Sequence, residues 1–95
     1  MIKREGDSLI LEGAVTLDSV PGLVGAAEEH FRLGAGAIDF SAVTEIDSSA
    51  VALALEWLRQ GARANVRVRF VNLPESMQNL ARLYGVSDIL RSASA

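Results

Sequence analysis

The chain of 95 residues has no cysteine, which excludes a disulfide framework and any thiolate metal site. Aromatic residues make up 5% of it against 49% apolar residues overall, a balance that favours closely packed small side chains over a large aromatic-lined cavity. One histidine is present, His30, beside Glu28 and Glu29 on a helical stretch. It reads as a solvated helix residue, and alone it cannot build the usual zinc site or serve a nucleophilic triad. Basic residues are scattered and the net charge is −3; Arg67 and Arg69 lie close together but form no cationic stripe, so nucleic acid is not an expected partner. Long apolar runs are missing too. The stretch Ala50 to Leu55 is far too short to span a bilayer, and Met1 to Asp7 has no signal-peptide character, so the expectation is a soluble cytoplasmic protein without membrane insertion. Gly34-Ala35-Gly36 lacks both the Lys-Ser/Thr of a P-loop and the dinucleotide fingerprint. Glu45 and Asp47 share a strand face without further signs of an acid–base site. Neither an enzyme nor a cofactor or metal site is expected.

What is present alternates between strand and helix patterns. Ile2 to Glu5 and Ser8 to Glu12 form a hairpin pattern across Gly6-Asp7. A helix follows, capped by Asp18 or Ser19, with Pro21 in its first turn, a stripe of Leu23, Ala26, Ala27 and Phe31, and a stop at Leu33 to Gly36. Ala37 to Phe40 alternates as a strand, and Ala50 to Ala64 is a long helical run. In Val66 to Val71, Val66, Val68 and Phe70 face the core while Arg67 and Arg69 face solvent, where Asp39 is placed to meet them from a neighbouring strand. Pro74 opens a last helix with a Met77, Leu80, Ala81, Tyr84 stripe and Gly85 at its end. Val86 to Leu90 reads as a short strand or turn, and Arg91 to Ala95 as a frayed tail. This order implies one α/β domain over residues 1–95, with a partly parallel sheet and helices on its apolar face.

The most informative segment is Glu45-Ile46-Asp47-Ser48-Ser49-Ala50-Val51, where a strand becomes a helix. Asp47 or Ser48 can accept from the free amides of the first turn, and Ser49 and Ala50 are small enough for a close approach. A helix start also tolerates a phosphate, and phosphorylation of Ser48 would add about two negative charges to a protruding loop.

Ile46-Asp47-Ser48-Ser49-Ala50-Val51-Ala52-Leu53, preceded by Ala37 to Val43, resembles the signature loop and helix of the STAS family. Ala50 stands where that pattern has Gly and Val51 where it has Leu, which leaves a kinase less room at the loop. The resemblance covers nearly the whole chain in element order. It implies a single STAS-like domain: a mixed four- to five-stranded sheet with helices packed on one face, acting as a non-catalytic regulator. Two branches stay open. In one, the domain is the small cytoplasmic subunit of an Mla-type phospholipid ABC transporter and its partner is the ATPase subunit; Leu80 to Val86, with its Leu83-Tyr84 pair, resembles the last helix of that branch. In the other, anti-anti-sigma factors, the residue matching Ser48 is the phosphoacceptor of an anti-sigma factor serine kinase.

A helical wheel of the long helix assigns Val51, Ala54, Leu55, Leu58 and Ala62 to the core and Glu56, Arg59, Gln60 and Arg63 to solvent. Leu53 and Trp57 fall on the shoulder between them. Two readings stay open for them: a neighbouring helix covers them, or, with Asp47, Ser48, Ser49 and Ala50, they form a docking patch in which Leu53 and Trp57 anchor the partner.

Overall fold

The computed structural model describes residues 1–94. Strands β1 (Ile2–Glu5) and β2 (Ser8–Val15) are followed by short helices α1 (Val20–Leu23) and α2 (Glu28–Arg32). Then come β3 (Ala37–Ile46), α3 (Ser48–Arg63), β4 (Arg69–Val71), α4 (Glu75–Leu83) and α5 (Ser87–Ser92). The sheet runs in the order β1-β2-β3-β4; β1 is antiparallel to β2, and the other two pairings are parallel. This is the expected mixed sheet with four strands. Gly6, at φ +63°, makes the hairpin turn that L-residues with larger side chains resist.

One face of the sheet carries Leu9, Leu11, Ile38, Phe40 and Phe70, all buried against the helices. Register places Leu9 beside Ile38 and Ile38 beside Phe70, so three strands supply one layer. Phe40 meets Phe70 edge-to-face, with centroids 6.0 Å apart and ring planes at 81°. Arg67 and Arg69 are exposed while Val68 and Phe70 are buried, as their alternation predicts.

Several elements differ from the sequence reading. The first helix is two: α1 stops at Leu23, and turns through Gly25 lead to α2. Two glycines, Gly22 and Gly25, in one short stretch weaken a continuous helix there. His30 is half-buried on α2 rather than solvated. Only Arg69–Val71 of the predicted Val66–Val71 strand joins the ladder, because β3 starts at Ala37, opposite Arg69. Val66 closes the end of α3 instead: its N–H donates to the Gly61 carbonyl at 2.8 Å, with Asn65 left-handed at φ 58°. Asp39 does not meet the arginines. Its carboxylate accepts from Asn72 Nδ2 at 3.0 Å and from the Ser41 N–H at 2.8 Å, while Arg69 pairs with Asp7 at 3.7 Å. The Asn72 contact, then the Ser41 amide, hold the Asp39 carboxyl below its ordinary range.

Val86 to Leu90 lies mostly in helix α5 rather than in a short strand or turn. The Phe70 N–H donates to the Ala93 carbonyl at 2.7 Å, and Phe70 forms a parallel bridge with Ser94. Residues 91–94 are therefore tied to the sheet edge rather than frayed, which satisfies a backbone donor that burial would otherwise leave unpaired. Ala95 lies outside the described residues. Among the described residues no helix is long and apolar enough to cross a membrane.

Candidate functional site

Strands β2 and β3 are parallel and finish together, with Val15 opposite Ile46. Two register shifts let the 10 residues of β3 match the 8 of β2. The loops leaving both strands therefore emerge at one edge of the sheet, beyond the carboxyl ends of parallel strands, where α/β proteins commonly place their sites.

Asp47 joins these two loops. It is the N-cap of α3, with extended backbone. Its Oδ1 accepts from the Ser49 N–H at 2.9 Å and from the Ser49 hydroxyl, and its Oδ2 accepts from the Leu17 N–H at 2.9 Å. The Asp47 N–H reaches back to the Val15 carbonyl at 3.4 Å. The Ser49 hydroxyl, followed by the Leu17 amide, lowers the Asp47 pKa below the ordinary carboxylate value, because each donor favours the charged form.

The two serines thereby acquire different chemistry. Ser49 is half-buried and its hydroxyl is engaged by Asp47. Ser48, at the first position of the 16-residue helix, is exposed, and its hydroxyl has no partner among the described residues. It is the one free to meet another molecule.

Leu53 and Trp57 are not on this surface. Leu53 is 1% and Trp57 0% exposed, which corrects the expected docking patch. Ala50 is buried as well, at 1%, and acts as a spacer under the loop rather than as a contact. The buried residues of α3 are Ala50, Val51, Leu53, Ala54, Trp57, Gln60 and Gly61. The predicted wheel places Gln60 in solvent and Ala62, which is exposed, in the core; the helix is turned relative to that wheel. Apolar residues wrap most of α3, and several rotations therefore satisfy a 3.6-residue period. Volume and fit select among them. Trp57 is the bulkiest fully buried side chain, and Gly61 sits so close to the segment that leads into β4 that an added Cβ would lie 2.3 Å from Val68 Cγ2.

That rotation frees another apolar surface. Ala52 is exposed, and Leu55, expected in the core, is half-buried. With Ser48, Ser49 and Val51 they line a shallow groove of about 400 Å3, closed on its far side by Tyr84 and Val86. Tyr84 is 55% exposed. It is held there by the end of α4: Gly85, left-handed at φ 74°, lets the Val86 N–H donate to the Ala81 carbonyl at 2.9 Å and turns the chain back toward α3. Val51, Ala52, Leu55, Tyr84 and Val86 are groove residues that the sequence reading does not place at the site; the Leu83-Tyr84 pair is the available signal. Leu17, 73% exposed, stands beside the junction on the loop fastened by Asp47.

Comparison with known proteins matches this architecture. The family model described as "Mlab, STAS domain" matches residues 1–91. No curated protein matches the chain. Among solved structures, the anti-sigma factor antagonist SpoIIAA in its unphosphorylated form shares the fold, with a TM-score of 0.70 at 17% identity, over 100% of this chain and 84% of that one. STAS domains act generally through protein–protein contacts. An exposed hydroxyl beside an apolar groove at the start of α3 suits such contacts, and the chain belongs to the MlaB-like STAS-domain family.

Proposed function

We propose that this chain is a cytoplasmic, non-catalytic regulatory subunit that docks on the ATPase of a phospholipid-trafficking ABC transporter. The docking surface is the Asp47-Ser48-Ser49 junction together with the groove of Ala52, Leu55, Tyr84 and Val86. One observation carries this reading: Tyr84, from the sequence ending that resembles the transporter branch, lines the same groove as Ser48 and Ser49 from the family signature. Two segments separated along the chain thus form one surface, and the Mlab description of the family supports the same branch. A half-exposed Tyr against aliphatic side chains is the composition of an interface anchor.

The test is titration of the chain against the purified ATPase subunit of such a transporter. Saturable binding that is lost in Ala52→Arg, with the circular dichroism unchanged, is the expected result. Binding that Ala52→Arg leaves intact would remove this surface from the proposal.

The alternative is an anti-anti-sigma factor switched by phosphorylation of Ser48. It is favoured by the free Ser48 hydroxyl, Ser49 being already engaged, and by the fold shared with SpoIIAA. Incubation with a cognate serine kinase decides it by intact mass: this reading requires one added phosphate, absent in Ser48→Ala.

A further inference from the structure

A second cavity, of about 590 Å3, shares no lining residue with the Ser48 groove. It lies between β4, α4 and α5, and its volume falls in the range of small-molecule sites, roughly 300–1,000 Å3. Phe70 and Leu90 supply its buried apolar floor, and Arg82, Ser87 and Arg91 its polar wall.

The charge at this cavity is poorly compensated. Arg82 donates to the neutral amide of Asn79 and has no carboxylate in ion-pair reach among the described residues. Arg91 pairs only with Asp88 on its own helix, at 3.0 Å, with both side chains largely exposed. Such a pair is weak and readily exchanged for a better-placed anion. The Ser87 hydroxyl has no partner among the described residues, whereas that of Ser94, also on the wall, donates to the Leu90 carbonyl at 2.9 Å. A chain of net charge −3 therefore places two guanidinium groups and a free hydroxyl around one apolar-floored cavity.

We propose that this cavity binds a small molecule bearing a phosphoryl group, held by Arg82, Arg91 and the Ser87 hydroxyl. A phosphate monoester carries close to two negative charges and three acceptor oxygens, matching two guanidinium forks and a hydroxyl better than a single carboxylate does. The site does not depend on the docking surface, and its failure would leave that reading untouched.

The experiment titrates the whole chain with inorganic pyrophosphate and with glycerol 3-phosphate at constant ionic strength, followed by calorimetry and amide NMR. Saturable binding is expected, with shifts centred on Arg82, Ser87 and Arg91. Arg82→Gln and Arg91→Gln should each weaken it tenfold or more. Arg59→Gln, on the outer side of α3 where Arg59 pairs with Glu56 at 3.1 Å, should bind like the unaltered chain. Co-sedimentation with phosphatidic acid vesicles separates the sources: binding there that is lost in Arg82→Gln identifies a lipid headgroup, and binding of the free phosphates alone identifies a soluble ligand. The proposal is overturned if neither probe binds, or if Arg59→Gln weakens binding as much as the two cavity variants.

Discussion

The inner and outer faces of α3 are both rich in apolar side chains, yet they hold different positions in the molecule. The inner face, Leu53, Trp57 and Gly61, is buried in the core. The outer face, Ala52 and Leu55, stays partly open beside Tyr84, with the free Ser48 hydroxyl at its head. Hydrophobicity alone does not separate them, because Leu53 and Leu55 are the same residue type two positions apart. What separates them is whether the chain's own elements cover that side. The inner face carries stability, and the outer face is left available for another molecule.

Substitutions should divide along this line. The largest effect is expected at Trp57→Ala, which empties the fully buried indole site and should cost about 3–5 kcal/mol of unfolding free energy in a denaturant titration. Affinity of the fraction that remains folded should be unchanged; a Trp57 variant that keeps its stability but loses its partner would break the comparison outright.

Gly61→Ala tests how tightly the inner face is fitted. Alanine favours helix by roughly 1 kcal/mol, but a Cβ 2.3 Å from Val68 Cγ2 and 3.0 Å from the Val66 carbonyl forces a shift. Overpacking of this sort costs about 1–3 kcal/mol, so a net loss of stability is expected, readable as a lower denaturant midpoint. A gain would mean that the helix stands further from the Val66–Val68 segment than the fit implies.

On the outer face the expectation reverses. Tyr84→Ala should leave thermal stability nearly unaltered and weaken partner binding tenfold or more, about 1.4 kcal/mol. Equal loss of stability and affinity would show that Tyr84 belongs with the inner face after all.

The smallest effect concerns Asp47, which connects the two loops at the head of the helix. Its donors favour the carboxylate, so its folded pKa lies below the unfolded one. The stabilisation is complete above the unfolded value, about 3.9, and disappears as pH falls through the lower folded value. Asp47→Ala should therefore show a modestly lower melting temperature at neutral pH. That gap should close as the solution is acidified below about pH 4. A gap that persists in acid would assign the role of Asp47 to shape rather than charge.

Local patterns were legible wherever the physics is local. The hairpin at Gly6-Asp7, the Asp47 cap, the Gly85 stop and the inward set of Val68 and Phe70 all depend on residues a few positions apart. The break between α1 and α2, the shortening of β4 to three residues and the conversion of 87–92 to helix were not legible. Each depends on where a partner strand starts, or on which carbonyl happens to face a free amide. The candidate site divides in the same way. Asp47 and Ser48 stand out in the sequence because a cap and an exposed first-turn residue are defined by neighbours. Leu55, Tyr84 and Val86 join them only through the crossing of two helices.

The sequence by itself determined the alternation of strands and helices, the strand-to-helix junction at Asp47 and the family signature around it, since these follow from side-chain period and turn chemistry. The tertiary structure alone decided the rotation of α3. Its apolar residues occupy too much of the circumference for periodicity to choose a face; the bulk of Trp57 in the core and the missing Cβ of Gly61 against Val68 choose it. That choice buries the residues expected to bind a partner and leaves Leu55 beside Tyr84, because close packing admits only one of the rotations that the pattern allows.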